Sequence, residues 1–207
     1  MASCDRCEMI YAAIKWRRPY YDLELICGSG QRIPVHKIIV FSQSNVIEQT
    51  YYQQTKNEDC GHETCVISDY DFEDVQRLVD YLYTGDYKTT PLDSSEKQEK
   101  ASELIIHGNL LGLAAKYNIT RLILLAKQKS WRAIQGEPET RVLIQCIPKV
   151  YKSVIDPGRK IFNMMIESIR ERIERTPPDR DTRNSLNFTM HEVPDFAIGL
   201  AMLFVKQ

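Results

Sequence analysis

The chain has 207 residues, of which 27 are basic and 28 acidic, so its formal net charge is -1. This balance excludes the strongly positive field that non-specific nucleic-acid binding requires, and no apolar run approaches the roughly 20 residues that span a bilayer. The hydrophobic content of 43% is typical of a globular domain. We therefore expect neither nucleic acid nor a membrane as a partner. The six dispersed cysteines and the lack of a signal-peptide pattern predict a cytoplasmic or nuclear protein.

Residues Cys4–Arg18 predict the first helix. Met9 and Trp16 share one face of it, together with two alanines between them, and Pro19 would end it. An apolar face of this kind packs either on its own domain or on another chain.

The next segment predicts a β-hairpin. Leu23 and Leu25 alternate with other side chains, Gly28-Ser29-Gly30 supplies a turn, and Gln31–Val35 returns as a second strand. Because alternate side chains point to opposite faces of a strand, we expect Leu23 and Leu25 to be buried together.

Two short helices and a third strand follow the hairpin. The run from His36 to Phe41 has a helical pattern, and Ser42–Tyr52 predicts a second helix capped by Ser44 or Asn45. The β-branched character of Thr64–Ile67 is typical of a strand.

The strongest helical pattern lies in Phe72–Tyr87. Asp71 can accept hydrogen bonds from the free N–H groups of a helix start, and Asp74 places negative charge at the positive end of the helix dipole. Gly85 stands where a left-handed residue ends a helix. The apolar side chains recur at three- and four-residue steps, at Phe72, Val75, Leu78, Val79 and Leu82. This pattern predicts a core helix.

Consecutive helices are predicted for the second half of the chain. They run over Glu103–Tyr117, from a Thr120 cap to the break at Gly136, over Arg141–Val154 with a bend at Pro148, from an Asp156-Pro157 cap to Thr176, and over Glu192–Lys206. The polar stretch Asp179–Asn187 is interpreted as a mobile segment. The order of elements indicates an α+β unit followed by an all-helical extension.

Cysteine and histidine spacing leaves one chemical hypothesis open. Cys4 and Cys7 have the C-x2-C spacing of zinc ligands, and Cys60, His62 and Cys65 would complete a tetrahedral site if the two segments meet. A zinc-binding or thiol-dependent protein is thus one alternative, and unrelated free thiols are the other. No nucleophile, phosphate-loop, zinc-protease or paired-carboxylate motif occurs, so we predict no enzymatic activity and no cofactor.

A series of short motifs runs in order through the first two thirds of the chain. They are Tyr21-Asp22-Leu23, Pro34-Val35-His36-Lys37, Ser42 and Ser44, Phe72 and Val75, Tyr81-Leu82-Tyr83-Thr84-Gly85-Asp86-Tyr87, and the run from Leu110 to Ile119. Their order and spacing resemble the BTB/POZ domain over about Tyr20–Ile134. The segments Pro148–Tyr151 and Val193–Ala197 are similar to the helical tail of fungal BTB-domain proteins.

This resemblance implies a BTB/POZ fold, in which a three-stranded sheet is flanked by α-helices, followed by an all-α extension. It also implies protein–protein association as the function. The implied structural core residues are Asp22, His36, Lys37, Tyr81 and Gly85. Asp22 and Lys37 would lie near a shared groove as a buried or half-buried ion pair, and His36 would satisfy a nearby backbone group.

One partner that the family implies is a second copy of the chain. Many BTB domains form homodimers through an N-terminal helix and strand, a role that residues 1–19 would take here with Met9 and Trp16. The implied organisation is this helix, a BTB/POZ domain over 20–134 and a helical extension over 135–207.

The other implied partner is a cullin, because some family members are substrate adaptors of cullin ubiquitin ligases. The family segment has an aromatic pair followed by a hydrophobic-x-Glu motif. Tyr51 and Tyr52 supply the pair, whereas Gln53-Gln54 and the polar Lys56–Glu63 loop contain no clear hydrophobic-x-Glu sequence. Tyr51 and Tyr52 are therefore candidate partner-binding residues.

Overall fold

The structure is a computed structural model that describes residues 21–55, 63–67, 70–89, 100–137, 139–154 and 159–205. The predicted N-terminal helix with Met9 and Trp16 lies outside these residues. The same holds for Cys4, Cys7, Cys60 and His62, for most of the predicted Lys56–Glu63 loop and for the predicted Asp156-Pro157 cap.

The described residues form three strands and nine helices. The strands are β1 Leu23–Cys27, β2 Arg32–Val35 and β3 Thr64–Ile67. The helices are α1 Lys37–Phe41, α2 Asn45–Thr55, α3 Phe72–Thr84, α4 Lys100–Lys116, α5 Thr120–Gly136, α6 Thr140–Ser153, α7 Lys160–Arg175, α8 Arg180–Glu192 and α9 Pro194–Val205. Contacts divide the described residues between two compact units, which fall within Met1–Lys88 plus Leu113–Ile123 and Thr89–Gly112 plus Leu124–Gln207. The boundary at residue 134 stays a prediction.

The first unit contains the three-stranded sheet, with strand order β2-β1-β3. β1 runs antiparallel to β2, so that Leu23 faces Val35, and parallel to β3, so that Leu25 faces Cys65. Leu23 and Leu25 are buried, and Glu24 between them is half-exposed, as the alternating sequence predicts. The hairpin turn contains Gly30 at a φ of +80°, a conformation that glycine adopts without a Cβ clash.

Helices α2 and α3 begin at side-chain caps. The Ser44 hydroxyl accepts the Ile47 N–H at 3.1 Å at the start of α2. Asp71 accepts the Asp74 N–H at 3.0 Å at the start of α3. At the other end of α3, Gly85 has a φ of +76° and donates its N–H to the Tyr81 carbonyl at 2.7 Å. The predicted stripe is confirmed at Val75, Leu78, Val79 and Leu82, which are buried, whereas Phe72 is half-buried.

Helix α4 ends in a motif that the sequence KYNI encodes. Asn118 has a φ of +54°, a left-handed conformation that asparagine tolerates better than most residues. The turn lets the Ile119 N–H bond the Ala114 carbonyl at 2.8 Å, so that both Tyr117 and Ile119 point into the core.

The second unit is helical. Helix α6 contacts α7 and α8, and α9 contacts α7 and α8. The helix over Thr140–Ser153 continues through Pro148, and α7 buries Ile161, Met165 and Ile169, which recur every four residues. No helix in the described part of the chain is both long and apolar enough to cross a membrane.

The predicted mobile segment Asp179–Asn187 is wrong. These residues begin helix α8, which Asp179 caps by accepting the Thr182 N–H at 2.8 Å. The helix buries few side chains, among them Leu186 and Thr189, while most of its other residues face solvent. Its polar composition therefore reflects a helix that is exposed on most sides. Such a helix lacks the broad apolar stripe by which helices are predicted from sequence.

Candidate protein-interaction surface

A group of apolar and aromatic side chains on helices α1 and α2 forms an exposed surface in the first unit. Ile38 is 76% exposed and Tyr52 is 54% exposed. The Phe41 ring lies 6.4 Å from the Tyr52 ring and 5.5 Å from the Tyr51 ring, between centroids. We call Ile38, Phe41 and Tyr52 the α1–α2 aromatic surface.

Tyr51 supports this surface from below. Its side chain is only 6% exposed and its ring lies 5.3 Å from the Tyr52 ring. The Lys37 ammonium donates to the Tyr51 hydroxyl at 2.9 Å and lies 4.4 Å from the centre of its ring. A salt bridge to Glu63 also fixes this ammonium. Of the two candidate tyrosines, Tyr52 presents its ring to solvent, and partner contact by either stays a prediction.

Asp22 contacts the backbone of Lys37, whereas the expected ion pair between the two side chains does not form. Asp22 accepts the backbone N–H of Lys37 at 2.7 Å. This N–H opens helix α1 and has no carbonyl partner within the helix, so a carboxylate is a favourable acceptor for it. The Lys37 ammonium reaches Tyr51 and Glu63 instead.

His36 has a side-chain partner rather than the expected backbone group. Its Nδ1 lies 2.6 Å from the Tyr83 hydroxyl, and its own N–H donates to the same hydroxyl at 2.9 Å. The hydroxyl oxygen accepts the backbone N–H, and its proton can be donated to Nδ1 in the tautomer whose Nδ1 is unprotonated. Burial raises the pKa of Tyr83, which keeps this proton in place. The contact joins the start of α1 to the end of α3.

Tyr81 and Gly85 mark the end of α3. Tyr81 is buried, and burial raises the pKa of its hydroxyl, with a smaller opposing effect from the positive charge of Arg121. A Cβ at Gly85 would meet no atom within 4 Å, so its left-handed backbone, and not space, is what favours glycine there.

The zinc hypothesis gains no ligand from the described part of the chain. Cys65 lies fully buried in β3, with its Sγ 4.0 Å from the Ile47 carbonyl, and burial raises its pKa to about 11. Its complete burial between neighbouring elements is that of a core residue. No group of three or more potential ligands occurs among the described residues.

A cleft of about 790 Å³ lies in the second unit, between the ends of α5 and α7 and the starts of α6 and α8. Arg172 in its wall donates to the carbonyls of Glu137 at 2.6 Å and Ile134 at 2.8 Å. Burial lowers the pKa of this guanidinium. Arg141 in the same wall pairs with Glu139 at 3.4 Å. Arg172 thus binds carbonyls at the end of α5, and Arg141 is paired with a neighbouring carboxylate. Both charges stabilise the fold.

Sequence reasoning missed two members of the α1–α2 aromatic surface, Ile38 and Phe41. The signal was the run Lys37–Phe41, in which four of five residues are apolar. A helix of little more than one turn has no single face that could bury all four, so one or more must reach solvent. Only Val40 of this run is fully buried.

Comparison with known proteins decides the family. The model of the BTB/POZ domain matches residues 13–129 of the chain. The chain belongs to the BTB/POZ family. No curated protein matches it.

A solved structure that resembles this BTB/POZ chain is the BTB (Tramtrack and Bric a brac) domain of human gigaxonin. It shares 17% sequence identity, over 61% of this chain and 93% of that domain, with a TM-score of 0.39. The predicted fold, a small three-stranded sheet flanked by helices with further helices towards the C-terminus, is confirmed. BTB/POZ domains are protein–protein interaction modules, and the family is generally non-enzymatic.

Proposed function

We propose that this chain is a non-catalytic binding protein of the cytoplasm or nucleus that holds a partner protein on its α1–α2 aromatic surface. The observation that supports this proposal is the exposure of Ile38 and Tyr52 beside the half-buried Phe41 ring. Tyrosine is among the residues that most often carry the binding free energy of a protein interface, and Ile38 and Phe41 add apolar area beside Tyr52. The Lys37 contacts with Tyr51 and Glu63 hold the surface rigid, which lowers the entropy cost of binding.

Replacement of Tyr52 tests the proposal. Gln53 is exposed and follows Tyr52 on the same helix, so Gln53→Ala is a matched control. Tagged wild-type protein, Tyr52→Ala and Gln53→Ala are used to isolate partners from the source cell. The proteins captured most strongly are then purified for affinity measurements. We expect Tyr52→Ala to weaken binding at least about tenfold, because an aromatic hot spot contributes about 2 kcal/mol or more, and Gln53→Ala to change it little. Equal affinities of the two variants would contradict the proposal.

The same surface supports a cullin as a specific alternative partner. Tyr51 and Tyr52 form the aromatic pair of the family's cullin segment, and Tyr52 is exposed. Gln54, which falls in the stretch after the pair, contacts β3. A purified cullin N-terminal domain, offered at micromolar concentration, tests this alternative. Failure to be retained on the immobilised chain would remove the adaptor role.

Homodimerisation through residues 1–19, with Met9 and Trp16, is the other association that the family favours. Light scattering at two protein concentrations tests it. A dimer gives about twice the chain mass of 24.0 kDa, and a mass near 24.0 kDa at both concentrations contradicts it. Replacing Met9 and Trp16 by serine should then lower the measured mass.

A further inference from the structure

Strand β3 is one of the two edge strands of the sheet in the part of the chain that the structure describes. The Glu24 N–H donates to the Glu63 carbonyl at 2.9 Å, and β1 pairs with β3 in parallel. Because backbone groups alternate in direction along a strand, those of Cys65 and Ile67 face β1, and those of Thr64 and Val66 face away from the sheet. Outward backbone groups that no strand of the described residues pairs with are a template for another strand.

One side chain covers the outward groups of Val66. The Gln54 Oε1 accepts the Val66 N–H at 2.9 Å, and the Gln54 Nε2 donates to the Val66 carbonyl at 3.5 Å. A carboxamide has the acceptor and donor of a peptide group, so Gln54 occupies both positions that a neighbouring strand would use. Helix α2 packs against β3 and thereby brings Gln54 to this edge.

The rest of the edge is suited to pairing. The Val66 side chain is 40% exposed, and Thr64 is half-exposed on the same face. Cys65 and Ile67 on the opposite face are fully buried, so the position of the strand is firmly held. The outward residues Thr64 and Val66 lie symmetrically about Cys65. In an antiparallel pair of two such strands, Thr64 of one copy lies opposite Val66 of the other, twice over, which makes the edge self-complementary.

We propose that the Gln54 carboxamide prevents strand pairing at the β3 edge. Without it, this edge pairs antiparallel with β3 of a second copy of the chain. The Gln54 side chain gives the Val66 N–H and carbonyl their hydrogen-bond partners within one molecule. These two groups then gain no hydrogen bond by pairing with a second molecule. This role is separate from partner binding by the α1–α2 aromatic surface.

Gln54→Leu tests the proposal, because leucine has a similar size and lacks both hydrogen-bonding groups. Gln53→Leu is the matched control, since it adds the same apolar side chain at the adjacent exposed position of α2. In sedimentation over a range of concentrations, Gln54→Leu should associate beyond the wild type, with an infrared band of intermolecular strands, and Gln53→Leu should match the wild type. In dilute solution the Val66 amide of Gln54→Leu should exchange its hydrogen about fivefold faster, as expected for the loss of one hydrogen bond.

A second variant distinguishes strand pairing at the edge from non-specific association through the added leucine side chain. In Gln54→Leu/Thr64→Pro, proline removes the outward Thr64 N–H, which makes no ladder bond to β1, and blocks strand addition. This double variant should return to the association of the wild type. If it associates as strongly as Gln54→Leu, or if Gln54→Leu sediments like Gln53→Leu throughout, the proposal is wrong. Should Gln54→Leu fail to fold, Gln54→Ala with Gln53→Ala as control is judged by the same outcomes.

Discussion

Single polar contacts tie the elements of the first unit together. The Tyr83 hydroxyl serves both the N–H and the Nδ1 of His36, and the two residues stand 47 positions apart in the chain. Lys37 similarly joins α1 to Tyr51 of α2 and to Glu63, which immediately precedes β3. Each contact matters to stability mainly because its loss would leave a partly buried polar group without a hydrogen-bond partner.

Removal of the Tyr83 hydroxyl should therefore destabilise the fold. We expect Tyr83→Phe to lower the free energy of unfolding by about 1–3 kcal/mol, because the His36 N–H and Nδ1 lose their shared partner. Tyr52→Phe, which deletes a hydroxyl from an exposed ring, is the control and should change stability by less than about 0.5 kcal/mol. Urea unfolding followed by circular dichroism measures both, and equal midpoints would contradict the prediction.

At the scale of elements, local sequence predicts helix and strand identity well where caps and apolar spacing agree. Helix α3 has the predicted Asp71 cap, the predicted stripe and the predicted Gly85 end. Helix α8 has a comparable cap in Asp179 but few buried side chains, so its sequence pattern is polar throughout. Close packing between elements also limits the size of the side chain at some helix positions, and the pattern of apolar residues does not reveal which positions these are.

Gly108 shows this constraint in helix α4. A Cβ at Gly108 would lie 2.4 Å from Val154 Cγ1 and 2.9 Å from Cγ2, and a β-branched side chain cannot easily move both methyl groups away. At Gly199 in α9 a Cβ would lie 2.8 Å from Cδ1, the flexible end of Ile166. Alanine gains about 1 kcal/mol of helix propensity at either site, whereas overpacking costs about 1–3 kcal/mol.

We therefore expect Gly108→Ala to be destabilising and Gly199→Ala to be close to neutral or stabilising. Thermal and urea unfolding of the two variants beside the wild type would measure the difference. A Gly108→Ala protein at least as stable as Gly199→Ala would show that the Val154 contact is loose.

At the scale of the whole molecule, acid stability should depend on carboxylates that join distant helices. Asp195 at the start of α9 accepts a hydrogen bond from the Tyr151 hydroxyl at 2.7 Å and pairs with Arg159. The Arg159 contact, and next the Tyr151 hydrogen bond, lower the pKa of Asp195 below its ordinary 3.8. A lowered pKa in the folded state stabilises the fold above 3.8, and this contribution is lost as the pH falls below that value.

Asp195→Asn should consequently have a lower melting temperature than the wild type at neutral pH, and the difference should shrink as the pH falls below 3.8. Asp181→Asn removes an exposed carboxylate 4.0 Å from Arg141 and controls for the loss of one negative charge. A difference for Asp195→Asn that is constant from neutral to acid pH would contradict the role of the charge.

The family, the three strands and the principal helices could be predicted from the sequence, because caps, periodicity and short motifs act over a few residues. Tyr52 could be proposed as a partner-binding residue, but its exposure and the burial of Tyr51 could not, since both belong to the same turn of α2. The exposure of Ile38 depends on how α1 packs against its neighbours, which the sequence does not specify.

What the sequence by itself determined is thus the identity and order of the elements, with the exception of helix α8. Only the tertiary structure decided the partners of the polar side chains: Tyr83 for His36, the Lys37 N–H for Asp22, and Val66 for Gln54. The physical reason is that local patterns encode backbone conformation, whereas a hydrogen bond between residues 12 to 47 positions apart requires two elements to meet at about 3 Å.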